Sequence, residues 1–148
     1  MKARMKHWLI ALACVFTVST AAYADNDKPV SVSELPTAAQ QTLKKYFGKQ
    51  KVALAKMESG LLDKSYDVIF TNGEKIEFNR SGEWTEISCK TSGVPAGLIP
   101  AGISQYVKSN YPDARVLAIE RDKEYEVDLS NRVELTFNKS FQIVDIDM

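Results

Sequence analysis

The sequence is poor in the side chains on which most catalytic and metal sites depend. It contains one histidine, two cysteines and two tryptophans among 148 residues. His7, Trp8 and Cys14 lie in an N-terminal segment that we expect to be removed on export, which leaves Cys89 and Trp84. A mature chain without histidine cannot build a Ser-His-Asp or Cys-His arrangement or an imidazole metal site. A single cysteine cannot form an internal disulfide, and we expect Cys89 to be a buried small hydrophobic residue.

Other catalytic and cofactor motifs are missing as well. The mature sequence has no Ser-x-x-Lys motif and no EF-hand calcium loop. We therefore predict no catalytic residue, no metal ligand and no cofactor, and a protein that is not an enzyme. A hydrolase that uses a pair of its many carboxylates is the enzymatic alternative.

The composition shows no excess of basic residues, since 19 lysines and arginines balance 19 aspartates and glutamates. Removal of the N-terminal segment, which holds three of the basic residues, changes the net charge to −3. Proteins that bind nucleic acids need a basic face, so we expect no nucleic-acid partner. The sequence after this segment contains no long apolar run, and we expect no membrane span.

The N-terminal segment has the three parts of a secretory signal peptide. Basic residues precede an apolar run at Leu9–Val18, and Ala22-Tyr23-Ala24 is a small-x-small cleavage site. Residues 1–24 are therefore predicted to be a signal peptide, and we expect the mature chain in the periplasm. Secretion beyond the periplasm is one alternative. A lipoprotein that begins at Cys14 is another, although Ala11 stands where a larger aliphatic residue is usual.

The mature sequence contains an internal repeat. Residues 66–81 align without a gap with residues 125–140, at an offset of 59. Upstream the offset becomes 64, where Leu35-Pro36 aligns with Ile99-Pro100, so the first copy carries five additional residues near Gly60–Lys64. A series of matches at fixed offsets is the signature of a duplicated structural unit.

The two copies determine the predicted organisation of the chain. The residues before the first copy are polar and lack periodicity, so we expect a flexible extension there. The predicted segments are a signal peptide (1–24), a flexible N-terminal extension (25–34), a first repeat (35–89), a linker (90–93) and a second repeat (94–148).

Each copy is predicted to begin with a helix and to continue with four strands. Pro36 and Pro100 suit the first turn of a helix, and apolar residues recur behind each of them at helical spacing. Alternation such as that of Tyr66, Val68 and Phe70 with their neighbours indicates strands with one buried face. Short connections favour an antiparallel meander. The predicted fold class is α+β: two tandem α-β-β-β-β repeats that form an antiparallel sheet, with helices on one face and the other face open.

A series of short segments runs through both copies in a fixed order. The segments are Leu35-Pro36, Leu43-Lys44-Lys45-Tyr46-Phe47, Tyr66-Asp67-Val68 and Gly82-Glu83-Trp84-Thr85-Glu86-Ile87 in the first copy, and Ile99-Pro100, Tyr111-Pro112-Asp113-Ala114 and Tyr125-Glu126-Val127 in the second. From about Leu35 to Met148, this series resembles the PepSY-like family, which is also described as beta-lactamase-inhibitor-like. The resemblance implies exported proteins of Gram-negative bacteria with two tandem helix-plus-four-strand units and no established biochemical function. The inhibitor label rests on similarity of fold, which does not imply activity.

Three apolar and two acidic residues form the candidate binding site. By alternation, Trp84, Ile69 and Ile143 are predicted to point to the open face, among carboxylates that include Glu86 and Asp145. Apolar residues exposed on a charged sheet mark contact surfaces, and tryptophan is enriched in binding hot spots. The alternative interpretation is that a loop, the N-terminal extension or a neighbouring subunit covers the apolar residues, and that the carboxylates are a solvated face.

These features together predict a non-enzymatic exported binding module. Its expected partner is an unidentified protein or peptide of the cell envelope, bound through the open face, and inhibition of that partner is one form this binding could take. A small-ligand or cell-envelope glycan binder that uses the same face is the alternative. A carboxylate-based hydrolase is less favoured, and the oligomeric state is left open.

Overall fold

The computed structural model describes residues 27–148, so the predicted signal peptide lies outside the described residues. Within this range two α-helices and nine β-strands follow one another. The helices are α1 (Thr37–Tyr46) and α2 (Ala101–Asn110), preceded by short 3-10 turns at Val32–Glu34 and Ala96–Leu98. The strands are β1 (Asp27–Pro29), β2 (Val52–Ser59), β3 (Lys64–Phe70), β4 (Lys75–Asn79), β5 (Trp84–Ser88), β6 (Val116–Arg121), β7 (Tyr125–Leu129), β8 (Glu134–Phe137) and β9 (Ile143–Asp147).

All nine strands form one antiparallel sheet, in which the spatial order equals the order along the chain. Tight hairpins join the four strands that follow each helix, as antiparallel neighbours permit. The helices lie in the two longer connections, α1 between β1 and β2 and α2 between β5 and β6. The protein is therefore α+β, as predicted. Neither described helix is long and apolar enough to cross a membrane.

Both helices contribute an apolar stripe to the core. Ala39 and Leu43 of α1 and Ile103 and Val107 of α2 are buried, at the four-residue spacing that places side chains on one helix face. Each helix follows a proline, whose fixed φ suits a helix start. The stripes therefore orient each helix against the sheet.

Aromatic contacts attach the C-terminal half of each helix to the sheet. The rings of Phe47, which follows α1, and Phe70 of β3 stack with their centroids 5.0 Å apart. The ring of Tyr106 in α2 meets the ring of Phe137 in β8 edge-on, with centroids 5.4 Å apart. Such pairs stabilise a fold by about 0.5–1.5 kcal/mol beyond the burial of their surface.

One hydrophobic core serves both halves of the chain. Side chains from α1, α2 and the strands of both halves belong to a single buried cluster. Strands β5 and β6 join the halves, with Ile87 directly opposite Ile119 and both side chains buried. Burial of each such side chain contributes about 1.5–3 kcal/mol. The two halves therefore pack against each other through buried side chains.

A buried carboxylate connects three loops at this boundary. Glu74 is 2 % exposed and accepts hydrogen bonds from the side chains of Gln50 (2.8 Å) and Asn72 (3.0 Å). It also accepts bonds from the backbone N–H groups of Thr91 (3.2 Å) and Ser92 (2.7 Å). Burial raises the pKa of Glu74, but these hydrogen bonds outweigh burial and the pKa is lowered. The β3–β4 turn is thus bonded to the linker predicted at residues 90–93.

Strand β1 departs from the sequence prediction. The pattern predicts a flexible extension at residues 25–34, whereas residues 27–34 contain β1 and a 3-10 turn. Strand β1 pairs with β2, and the Lys56 ammonium lies 2.9 Å from the Asp27 carboxylate. Backbone pairing and this ion pair hold β1 against β2. The sequence did not indicate the strand, because three residues are too few to show an alternating pattern.

The element order after β1 is the same in the two halves. In each half a 3-10 turn leads to an α-helix and then to four strands. The additional residues of the first half fall at the β2–β3 connection, where Leu61 and Leu62 are exposed. The internal repeat itself stays a prediction, which superposition of residues 35–89 on residues 94–148 tests.

Candidate functional site

The open face of the sheet carries an uninterrupted line of acidic side chains. Alternate residues of a strand point to opposite faces, so the residues between the core positions lie on the face without helices. From β2 to β9 the strand register aligns Lys56, Asp67, Glu77, Glu86, Glu120, Glu126, Thr136 and Asp145. Five consecutive members, on β3 to β7, are called the carboxylate row: Asp67, Glu77, Glu86, Glu120 and Glu126.

The carboxylate row brings like charges into direct cross-strand opposition. Opposite residues of antiparallel strands have Cβ atoms about 4.5–5.5 Å apart, and like charges at this distance destabilise the sheet. Two lysines offset part of the repulsion. The Lys56 ammonium lies 3.7 Å from the Asp67 carboxylate, and the Lys75 ammonium lies 3.3 Å from the Glu86 carboxylate. These two ion pairs lie at the end of the row formed by β3 to β5.

Glu77 occupies the centre of this repulsion. Burial raises its pKa, and the charges of Asp67 and Glu86 raise it further, to about 7, although Lys75 lowers it. The pKa of Asp67 is also raised, chiefly by burial. A cation placed against the row would favour the ionised form of these groups. The row is therefore an acidic surface whose charge increases when a cation covers it.

A second row on the open face runs beside the first. It consists of Leu54, Ile69, Lys75, Ser88, Ala118, Asp128, Glu134 and Asp147. Leu54 and Ile69 make its β2–β3 end apolar. Of the predicted site residues, Ile69 lies in this second row, Glu86 lies inside the carboxylate row, and Asp145 lies on the edge strand β9. The open face thus holds all three, spread over several strands.

The prediction that Trp84 points to the open face is wrong. Trp84 is 8 % exposed and belongs to the core cluster. A β-bulge between Glu77 and Phe78 sets Trp84 opposite Phe78, and the extra residue reverses the alternation of β5. The guanidinium carbon of Arg121 lies 4.1 Å from the centroid of the Trp84 ring, and the Nε–H of Arg121 donates to the Trp84 carbonyl oxygen at 2.6 Å.

The prediction that Ile143 points to the open face is wrong for the same reason. A register shift between Thr136 and Phe137 sets Ile143 opposite Phe137, and Ile143 packs against the core. Counting alternate residues backward from the end of β9 places Ile143 on the opposite face, because the count assumes an uninterrupted strand. Of the three apolar residues predicted for the open face, only Ile69 therefore lies on it.

Sequence reasoning missed Glu120 and the continuity of the carboxylate row. The inward face of β6 is ambiguous from the sequence, because Val116 and Ala118 on one face and Leu117 and Ile119 on the other are all apolar. Burial of Ile119 opposite Ile87 settles the inward face and places Glu120 beside Glu86. The carboxylate row forms only when five strands pair in a particular register, and the sequence of a single strand does not show that register.

The described residues offer no enclosed site for a metal ion. Within residues 27–148 no group of three or more histidine, cysteine, aspartate or glutamate side chains is arranged to hold one. Calcium takes six to eight oxygen ligands around one point, whereas the carboxylate row extends along a line.

Cys89 is buried, as predicted. Burial, with a contribution from the charge of Glu74, raises the pKa of its thiol to about 12. A thiolate is the nucleophilic form of cysteine, so this thiol is inert at neutral pH. It fills space in the core.

Comparison with known proteins agrees with the exported family suggested by the sequence. A profile of the family described as "Putative beta-lactamase-inhibitor-like, PepSY-like" matches residues 64–145. Among curated proteins, none matches the chain. The chain is similar to a "putative calcium-regulated periplasmic protein" of Bacteroides thetaiotaomicron, with 58% identity and a TM-score of 0.81 over 84% of this chain and 99% of that chain.

Two further solved structures come from Bacteroides vulgatus. One, described as a "putative periplasmic protein", is 55% identical with a TM-score of 0.82, over 84% of this chain and 99% of that chain. The other, described as a "putative periplasmic protein of unknown function", is 39% identical with a TM-score of 0.76, over 82% of this chain and 99% of that chain. All three relatives are thus described as periplasmic.

Proposed function

This chain belongs to the PepSY-like family, and from that premise we propose that it is a non-enzymatic periplasmic binding module. It binds a protein or peptide of the cell envelope through the open face of its sheet, and the contacting surface of the partner is basic. The carboxylate row carries this proposal. Complementary charge across an interface guides association and selects the partner, and a cationic surface would relieve the repulsion that the row builds into the sheet.

Side chains beside the carboxylate row give the proposed interface its shape. Leu54 and Ile69 supply apolar contact next to acidic groups, a combination typical of binding surfaces with a polar rim. Trp84 takes no part, because it lies in the core. Binding is thus expected to depend mainly on the glutamates at the centre of the sheet.

Charge removal from the row tests the proposal. The row-neutral variant combines Glu77→Gln, Glu86→Gln, Glu120→Gln and Glu126→Gln. A matched control removes four exposed acidic charges elsewhere through Asp63→Asn, Glu83→Gln, Asp113→Asn and Asp122→Asn. Both variants replace four carboxyl groups by amides, so a difference between them isolates the position of the acidic groups.

A photo-crosslinking residue at Ser88, beside Glu86 on the open face, would report the contact in living cells. We expect a protein crosslinked from position 88 but not from the exposed helix position Gln41, with a lysine- or arginine-rich crosslinked segment. The product should disappear in the row-neutral variant and persist in the matched control. Equal products from both variants, or a neutral or acidic crosslinked segment, would contradict the proposal.

Calcium regulation is a second candidate function, favoured by the description of the 58% identical relative as calcium-regulated. Carboxylate oxygens are the ligands that calcium prefers, and the row could supply them after its side chains rearrange. Calorimetric titration with calcium chloride, with magnesium chloride as control, distinguishes the candidates. Saturable heat selective for calcium and lost in the row-neutral variant supports regulation by calcium, whereas weak and equal responses to both ions exclude it.

The same variants address the glycan-binding and hydrolase alternatives. A glycan binder would retain cell-envelope glycans on the wild-type protein without dependence on salt, because neutral sugars do not respond to charge screening. A hydrolase would release product in activity screens and lose this activity on substitution of two carboxylates. Either result would replace the proposed function.

A further inference from the structure

The two edges of the sheet differ in how well they are protected. At one edge, β1 is three residues long and ends in Pro29, and short strands and proline both block the addition of another strand. At the other edge, β9 has five residues without proline, and no strand among the described residues pairs with its outer side. Two apolar side chains of β9 are exposed, Val144 by 49 % and Ile146 by 42 %.

Among residues 27–148, no strand pairs with the outer backbone groups of β9, which lie at Ile146. Alternate residues of an antiparallel strand direct their N–H and C=O groups to opposite neighbours. The Asn138 N–H donates to the Gln142 carbonyl at the β8–β9 turn, so even-numbered residues of β8 face β9. Their partners Asp145 and Asp147 therefore bond inward, and the backbone of Ile146 between them faces outward.

In the first half of the chain, the strand that corresponds to β9 is β5, and its outer side is covered by another strand. Strand β5 aligns with β9 at the offset of 59, and each strand contains an equivalent register shift, after Trp84 in β5 and after Ile143 in β9. Strand β6 covers the outer side of β5, with Ile119 opposite Ile87 and with the Cys89 N–H donating to the Leu117 carbonyl at 2.8 Å. This addition buries Ile87 completely. Ile146, the counterpart of Ile87, lacks this cover.

We propose that the outer edge of β9 binds an extended segment of a partner protein as a tenth, antiparallel strand. The segment would place a β-branched residue opposite Ile146 and basic residues opposite Asp145 and Asp147. Strand addition of this kind takes its affinity from backbone hydrogen bonds and its specificity from alternate side chains. The inference rests on the proposed function and adds the conformation of the bound partner.

Charge excludes a second copy of the chain as the occupant. Antiparallel pairing of two β9 strands would bring Asp145 and Asp147 of one copy beside the same two residues of the other on the open face. Like charges directly opposite each other destabilise strand pairing. A strand with lysine or arginine at these positions gains attraction there instead, and it continues the charge pattern of the open face.

Strand β6 supplies the design of a probe. A synthetic peptide of residues 115–121 that carries Ala118→Lys and Glu120→Lys would present lysine, isoleucine and lysine opposite Asp147, Ile146 and Asp145. The unmodified 115–121 peptide is the first control. In solution NMR with the purified protein, we expect the modified peptide to shift the amide signals of β9, and the unmodified peptide to bind at least tenfold more weakly.

Backbone methylation distinguishes strand addition from simple charge attraction. The N–H of peptide residue Ile119 would bond to β9, whereas the N–H of the next residue would point away. N-methylation at position 119 should therefore weaken binding at least tenfold, and N-methylation at position 120 should leave it nearly unchanged. Equal effects of the two methyl groups, or no effect of either, would overturn the proposal.

Charge reversal in the protein gives an independent readout. The Asp145→Lys/Asp147→Lys variant should lose the lysine peptide and bind a 115–121 peptide that carries Ala118→Glu and keeps Glu120. The Asp63→Lys/Asp113→Lys variant, with the same change in net charge, should keep the wild-type preference. Unchanged preference in the β9 variant, or a dimer in sedimentation that Ile146→Lys dissolves, would overturn this inference. If the row-neutral variant lost the peptide and the β9 variant still bound it, the peptide would bind to the carboxylate row. That result would overturn strand addition at β9, while the proposed function of the open face would remain.

Discussion

At the scale of single residues, Glu77 is where the acidic face costs stability. Its pKa is raised from 4.5 to about 7 in the folded protein, so the native state keeps a proton that the unfolded state releases. The free energy of unfolding therefore decreases as the pH rises from about 4.5 to 7. Below pH 4.5 the protonated Glu77 makes its full contribution to the free energy of unfolding, and above about pH 7 this contribution is lost.

Glu77→Gln should remove this pH dependence. Because solvent screens the partly exposed carboxyl, we expect the variant to be more stable than wild type by about 1 kcal/mol at pH 8 and nearly equal at pH 4. Urea unfolding at both pH values measures the difference. The exposed Glu83→Gln is the control for removal of a carboxyl group outside the carboxylate row. A Glu77→Gln effect that is the same at pH 4 and pH 8 would refute the electrostatic account.

Trp84 gives a second prediction at this scale, since its ring is buried under the Arg121 guanidinium. Trp84→Ala should cost about 3 kcal/mol of stability, the usual loss for a large aromatic side chain removed from a core. In the mature protein, its fluorescence should be blue-shifted and resist quenching by iodide. Red-shifted and readily quenched emission in the folded protein would contradict the buried position.

At the scale of elements, each half brings a helix close to the turn before its last strand, and a glycine makes room for this contact on opposite sides in the two halves. Gly82 has a φ of +85° in the β4–β5 turn, and a Cβ there would lie 2.9 Å from the backbone nitrogen of Ala39. The equivalent position of the β8–β9 turn holds Phe141, with a φ of 63° that is uncommon for a bulky residue. Here the glycine lies in the helix instead, because a Cβ on Gly102 would lie 2.8 Å from the Cβ of Phe141.

The contact between Gly102 and Phe141 predicts that substitutions at these two positions affect stability non-additively. Gly102→Ala should destabilise the protein by about 2 kcal/mol despite the better helix propensity of alanine, because the added methyl overpacks the contact. In the Phe141→Gly background, the same substitution should be neutral or stabilising. A double-mutant cycle by thermal unfolding measures the coupling. Additive effects would show that the two residues do not share this contact.

The elements were more predictable than their faces. Helical spacing behind Pro36 and Pro100, and the alternation in β3 and β7, are local patterns, and they predict the helices and most strands. The bulges that follow Trp84 in β5 and Ile143 in β9 are not local patterns, because they appear only when two strands pair. Strand β1 depends likewise on its partner β2. Sequence reasoning therefore located the open face and its acidic character but misplaced two of its five candidate residues.

At the scale of the whole molecule, the shared core has a thermodynamic consequence. Because Ile87 and Ile119 are buried against each other where β5 meets β6, neither half can unfold without exposing the other. We expect one unfolding transition in calorimetry, with equal calorimetric and van't Hoff enthalpies. Two separated transitions would show that the halves are independent domains and that the Glu74 hydrogen bonds do not couple them.

Across residues 27–148, the two faces of the sheet differ in composition. The helix-covered face is the core, whereas the open face concentrates acidic side chains from seven of the nine strands, β3 to β9. A protein with this arrangement carries an electrostatic cost in the free state that a cationic partner would offset. The acidic face is therefore the feature on which the proposed function depends most.

NMR mapping of a cationic probe tests this claim most directly. Hexalysine titrated into the isotope-labelled protein at low ionic strength should shift amide signals of β3 to β7, with the largest shifts around Glu77, Glu86 and Glu120. The shifts should weaken at 0.5 M salt, where charges are screened, and should be lost in the row-neutral variant but kept in the matched control. Shifts confined to other surfaces, or equal shifts in both variants, would contradict the assignment of the open face as the binding site.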